Sequence, residues 1–121
     1  MSLAASGLEC VVDLGIPQYT YLARRSLGGD VTAYVRVGKH GKVASIRTPG
    51  ADVNLAKEVE LGLRYDTTYL ESCKGQEVDI VFTFRLEGEP EDDPSTHIRF
   101  LPPNHFVLIS HPRKPIIDVN H

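Results

Sequence analysis

Residues 16–37, IPQYTYLARRSLGGDVTAYVRV, set a short helical segment directly in front of a strand. At positions 18–27, Tyr19, Leu22, Ala23 and Leu27 fall on one side at helical spacing, and Arg24 and Arg25 turn outward. Gly28-Gly29 is placed to end that helix, because glycine readily takes the left-handed conformation that follows one. From residue 31 the period changes to two. Val31, Ala33, Val35 and Val37 share one face, and Thr32, Tyr34 and Arg36 share the other. A helix feeding an alternating strand predicts a domain in which helices lie on a sheet.

Downstream, Gly38-Lys39-His40-Gly41 is a turn of hairpin length, and residues 42–48 return as a second strand stopped by Pro49-Gly50. Asp52 or Asn54 can cap a helix that runs to about Tyr65, with Leu55, Ala56, Val59 and Leu63 on one apolar stripe. Glu60 and Arg64 are spaced for an ion pair on its wet side. Gly62 weakens the helix by about 1 kcal/mol relative to alanine, which points to a close approach of the sheet at that position. Residues 66–76 read as an irregular connection.

Residues 77–86 form the strongest strand pattern: Val78, Ile80, Phe82, Phe84 and Leu86 face one way, Glu77, Asp79, Thr83 and Arg85 the other, and only Val81 breaks the alternation. An acidic, proline-punctuated loop over 87–94 follows. Residues 97–101 and 105–110 read as a second hairpin around Pro102-Pro103-Asn104, and the tail from His111 as extended. Upstream, Cys10-Val11-Val12 is a short apolar arm with the pattern of an extra edge strand, broken at Gly15-Ile16-Pro17. The fold class expected is α+β: two helices on one face of a small antiparallel sheet, plus a C-terminal β-hairpin.

A chain of 121 residues is one domain by length. The expected domain spans residues 8–111, with a core over 17–86, an added hairpin over 97–110 and a tail over 112–121. A net charge of −3 argues against general nucleic-acid binding and gives no electrostatic reason to sit on an anionic membrane. No apolar run is long enough to span a bilayer as a helix, and MSLAASGLEC lacks the basic and apolar regions of a signal peptide. Cys10 and Cys73 form no CxxC and are unlike a zinc site. They are either one disulfide in an oxidising compartment or two unpaired thiols.

Chemistry-bearing patterns are sparse. His40, His97, His105, His111 and His121 lack the tight spacing of metal ligands, although His97 and His105 could meet across the second hairpin. No GxSxG nucleophile setting occurs, and Gly28-Gly29 precedes a strand, where a phosphate cradle needs a helix. Glu87, Glu89, Glu91, Asp92 and Asp93 lie in a loop, without the spacing of a calcium loop and without the rigidity that paired catalytic carboxylates need. Arg24 and Arg25 read as a solvated helix face. The residues point to no enzyme activity, no metal and no cofactor.

The order of these pieces resembles the TonB carboxy-terminal domain family, TolA-like domains included. Tyr19-Thr20-Tyr21-Leu22-Ala23-Arg24 matches the family's YPxxAR segment, with threonine in place of proline. Gly29-Asp30-Val31 opens the first strand as Gly-x-Val does there, and Gly41-Lys42-Val43 matches the turn into the second. Leu63-Arg64-Tyr65 stands where the family has Trp-Arg-Phe or Trp-Arg-Tyr, without the tryptophan; Gly75-Gln76-Glu77-Val78 and Val81-Phe82-Thr83-Phe84 fit the closing strand. The resemblance spans about residues 17–86.

It implies a periplasmic, non-enzymatic module, anchored to the inner membrane in a longer parent. Such a module grips an extended peptide of an outer-membrane receptor or another envelope protein by adding it as a strand. The peptide-binding edge would then be the strand carrying Glu77, Asp79, Val81, Thr83 and Arg85, or, if the second hairpin displaces it outward, the strand carrying Phe106, Leu108 and Ser110. The alternative is a structural or dimerising envelope domain whose edge the hairpin caps, with homodimers forming through sheet edges.

Overall fold

The computed structural model describes residues 8–19, 22–23, 25–91, 95–112 and 114. Its elements are β1 (Val11–Asp13), β2 (Gly29–Val37), β3 (Val43–Arg47), α1 (Val53–Tyr65), β4 (Thr68–Tyr69), β5 (Glu77–Leu86), β6 (Thr96–Leu101) and β7 (His105–Ser110). Single 3-10 turns lie at Lys39–Gly41 and Glu71–Cys73. The fold is α+β: one helix packs against a mixed five-stranded sheet of order β3-β2-β5-β7-β6, and β1 and β4 form a separate two-stranded ribbon.

The alternation in β2 and β5 becomes the core. Val31, Ala33, Val35 and Val37 are buried on β2, and Val78, Ile80, Phe82 and Phe84 on β5, where Val35 sits opposite Val78 and Ala33 opposite Ile80. β3 pairs antiparallel with β2 after a turn in which His40 (φ 59°) and Gly41 (φ 69°) are left-handed. The Tyr69 carbonyl oxygen occupies the place where a Cβ of residue 41 would sit, so this position needs glycine for its space as well as its φ.

α1 packs against β2 and β3, with Leu55, Ala56, Val59 and Leu63 buried on its apolar stripe. Asp52 is its N-cap: Oδ1 accepts from the amides of Asn54 (2.8 Å) and Leu55 (3.2 Å), an arrangement worth about 1 kcal/mol. Glu60 and Arg64 form no ion pair; Glu60 instead accepts from the Thr48 hydroxyl at 3.5 Å. The close neighbour of Gly62 is not the sheet. A Cβ there would lie 2.8 Å from the Gly15 carbonyl oxygen, because residues 15–17 cross the back of the helix. Thr67 pins that crossing, accepting from the Gly15 amide (2.9 Å) and donating to the Gly62 carbonyl (2.8 Å).

The expected first helix is described only in part, as Thr20, Tyr21 and Arg24 lie outside the described residues. Leu22 and Ala23 are helical and buried. The glycine pair does not end this turn. Ser26 does, at φ 56°, with the Leu27 amide donating to the Leu22 carbonyl and the Ser26 amide to that of Ala23, the paired bonds of a Schellman cap. Tyr19 packs edge-on against Phe84 (5.1 Å between ring centres) and donates its hydroxyl to the Leu27 carbonyl at 2.7 Å. Burial pushes its phenol pKa up to about 12. Tyr69, bonded to the Leu63 carbonyl, is raised further by burial, with an opposing contribution from Thr67.

The arm at Cys10 joins the ribbon, not the main sheet. Cys10 and Cys73 form a disulfide with their Cα atoms 5.8 Å apart, tying β1 to the turn after β4. This crosslink is consistent with an oxidising, extracytoplasmic compartment. Among the described residues no helix is long and apolar enough to cross a membrane.

The second hairpin changes the sheet from the antiparallel one expected. β6 and β7 pair antiparallel around residues 102–104, and β7 lies parallel to β5 from Val81↔His105 to Leu86↔Ser110. From the end of β5 the chain steps outward past one strand position, runs back as β6 and then returns as β7 in the vacant place. The run Phe106-Val107-Leu108 is buried throughout, as suits a strand with neighbours on both sides.

Candidate functional site

A sheet without a catalytic cleft can still act through its edges, where backbone N–H and C=O groups lack partners. β5 offers no such edge over its second half. Val81, Thr83 and Arg85 are flanked by β2 on one side and β7 on the other. Ahead of β7, Asn104 closes the strip: its carbonyl accepts from the Val81 amide at 3.0 Å, and its Nδ2 donates to the Asp79 carbonyl (2.8 Å) and carboxylate (3.1 Å). Glu77 pairs with Arg36 (3.9 Å) and Arg47 (3.6 Å), and Arg47 also stacks over Tyr34. Assignment of these residues to an open edge is therefore corrected: β5 is an interior strand.

The second expected edge is corrected for the same reason. Phe106, Leu108 and Ser110 belong to β7, which lies between β5 and β6. Phe106 is stacked between Phe82 (5.7 Å) and Phe100 (4.8 Å), Leu108 is fully buried, and the Ser110 carbonyl accepts from the Glu87 amide. Their role is to carry the core out to the next strand.

Two edges of the main sheet have no partner among the described residues. The edge of β3 shows solvent mainly small and charged side chains, Ala44, Ser45 and Arg47. β6 differs: Ile98 is 53% exposed, Phe100 44% and Leu101 42%, contiguous on one unpaired strand. Ile98 and Phe100 lie on the core side, opposite Leu108 and Phe106, so they prolong the core past its last covered strand. His97, Arg99 and Leu101 face the other way, opposite Ile109, Val107 and His105. Half of the β6 residues direct both N–H and C=O outward, as alternation in an antiparallel pair requires. The outermost strand on this side of the sheet is β6, one strand beyond the Phe106–Ser110 strand expected. The contiguous apolar run 106–109 beside the alternating run 96–101 was the available signal, since the first reads as interior and the second as half-exposed.

The outward face of the sheet carries, besides the Glu77 ion pairs, a polar array centred on Thr83. The Thr83 hydroxyl donates to Asp30 Oδ1 (2.7 Å) and therefore accepts from His105 Nε2–H (2.7 Å), since it has one proton to give. A nucleophile would need the reverse polarity, with the hydroxyl donating to a basic nitrogen. The array instead fastens β2, β5 and β7 together. His97 and His105 do not meet, because His105 pairs with Leu101 and His97 with Ile109.

His111 packs on Gly88, with Nδ1 3.0 Å from the Glu89 carbonyl and Nε2 3.6 Å from the Glu91 carboxylate; Asp92, Asp93 and His121 lie outside the described residues. Among the described residues no group of three or more His, Cys, Asp or Glu could hold a metal ion. A cleft of about 260 Å³ lies between residues 16–18 and the outer side of α1. Its charged lining groups among the described residues are Glu58 and Asp66.

Comparison of the chain with models of known families, with curated proteins and with solved structures finds no match in any of the three.

Proposed function

We propose that this chain is a non-enzymatic protein-binding module of the periplasm, of the kind to which the TonB carboxy-terminal domain belongs, and that it takes an extended peptide of an envelope protein as an added strand along β6. The observation that carries this reading is the unpaired edge of β6 with Ile98, Phe100 and Leu101 exposed together. Backbone pairing supplies affinity with little demand on side-chain chemistry, and the exposed apolar residues give the incoming strand something to bury. The Cys10–Cys73 disulfide supports the compartment. An inner-membrane anchor in a longer parent and an outer-membrane receptor as the peptide's source rest on the family resemblance alone.

A second reading, a structural envelope domain with its edge closed, draws on the occupation of β5 by β7. The two part at β6. Titration with extended peptides from outer-membrane receptors, followed by amide hydrogen exchange, distinguishes them. Strand addition slows exchange within residues 96–101 and leaves β3 unchanged. Unaltered exchange in 96–101 at saturating peptide would refute the binding reading.

A further inference from the structure

We infer that the strand accepted by β6 is a segment of another chain in which apolar residues alternate with carboxylates, and not a second copy of this one. The inference rests on the reading of β6 as a strand-addition edge and gives its partner a chemistry.

The two faces of β6 impose different demands. A strand laid beside it places its side chains about 4.5–5.5 Å from those directly opposite. On the core side these neighbours are Ile98 and Phe100, and Phe100 continues the stack through Phe106 to Phe82. Every second residue of the partner should therefore be apolar, to extend that layer. On the other side the neighbours are His97 and Arg99. Arg99 makes no ion pair among the described residues. Across the same face, the row of His97 leads through Ile109 to Arg85, and the row of Arg99 through Val107 to Thr83. The first acid along that second row is Asp30, three strands from β6 and already engaged by Thr83. The intervening residues of the partner thus meet the Arg99 guanidinium and the His97 imidazole; a carboxylate complements the first and can accept a hydrogen bond from an N–H of the second.

The same geometry disfavours self-pairing. Two copies of β6 related by a two-fold axis pair antiparallel, and only residues of the same face can lie opposite one another. Of the registers that overlap most of the strand, one centred on Ile98 sets each Arg99 against the other copy's His97. The other, centred on Arg99, sets arginine against arginine. Neither gives the arginine a counter-charge, and like charges directly opposite are destabilising.

The test uses two blocked synthetic peptides of equal length, one alternating valine with glutamate and one alternating valine with lysine, titrated into the whole chain at low salt. Hydrogen exchange reports the site. The glutamate peptide should bind roughly threefold more tightly, as expected for one favourable against one unfavourable cross-strand charge pair at Arg99. The difference should shrink as salt is raised, and Arg99→Glu should invert it. Equal binding of the two peptides with equal slowing at 96–101 would leave strand addition standing and overturn the acidic partner. No slowing by either would overturn both. Slow exchange at 96–101 before any peptide is added, in monomeric protein, would mean that another part of the chain holds the edge. A solution dimer dissociated by Phe100→Asp would hand the edge to a second copy. Either of these results refutes the inference.

Discussion

Leu108→Ala asks whether β7 is part of the core or an appendage beside it. Leu108 is fully buried, with Phe84 of β5 directly across on one side and Ile98 of β6 on the other. The substitution removes three carbons, worth about 2.4 kcal/mol at about 0.8 kcal/mol each. A cavity term adds to this. Strands held in register on both sides cannot close over the space, so the cost should exceed the transfer term alone and fall within the range of about 2.5–5 kcal/mol for buried leucine. The expected loss is about 3–4 kcal/mol. In urea unfolding followed by circular dichroism, with a slope of about 1.5 kcal/mol per molar, the midpoint falls by roughly 2–2.7 M at unchanged slope. Ile109→Ala, at a half-buried position on the opposite face, should cost about 1 kcal/mol or less. Two results would refute the reasoning. One is a Leu108→Ala loss below about 1 kcal/mol. The other is an early transition in the variant that leaves the remaining chain melting at the original midpoint, which would make the hairpin an independent unit.

Three further outcomes are expected. Replacing Cys10 and Cys73 with serine opens a loop with a sequence separation of 63 and should cost about 4 kcal/mol by the chain-entropy estimate, read as a lower midpoint that reductant no longer alters. Tyr19, with its folded pKa raised to about 12 against 10 when unfolded, contributes stability that is complete below about pH 10 and is lost as pH rises towards 12, by about 2–3 kcal/mol. The buried Tyr69 adds to the same alkaline fall, so Tyr19→Phe should make the decline shallower without abolishing it, and an unchanged profile would reassign the titration. Gly62→Ala should destabilise despite a helix-propensity gain of about 1 kcal/mol, because the added Cβ would lie 2.8 Å from the Gly15 carbonyl oxygen; a higher melting temperature would show that residues 15–17 can withdraw.

Local periodicity made the first half of the sheet legible. Val31 to Val37 alternate because one face of β2 meets α1, and Leu55 to Leu63 form a stripe because that helix buries one side. Asp52 was readable as a cap because a short carboxylate before a helical stripe has few better uses. Local pattern does not encode partner choice. Both strands of the second hairpin could be read, but the relation of β7 to β5 joins residues more than twenty positions apart and leaves no periodic trace. The same limit hid Gly15 beside Gly62 and moved the expected helix stop from Gly28-Gly29 to Ser26, where backbone bonds back to Leu22 and Ala23 decide the ending. Which strands end up at the sheet's edges was not readable, because edges are a property of strand order. Once that order is known, the exposed apolar residues of β6 and the covered ones of β7 follow from it.

The place of β7 bears on the order in which the chain can assemble. Of the main-sheet strands it is the last in sequence, yet it sits inside the sheet. As the polypeptide emerges from a ribosome or a translocation channel, β2, β3, α1 and β5 are complete before residues 105–110 appear. Throughout that interval β5 presents a bare apolar strand, the feature that invites pairing with other chains. Fragments ending before Ser110 retain this exposure, so they should aggregate or recruit chaperones where the longer chain does not. Final closure is the long-range docking of the β6–β7 hairpin on β5 through β7, which slows folding relative to a sheet built from local pairings alone.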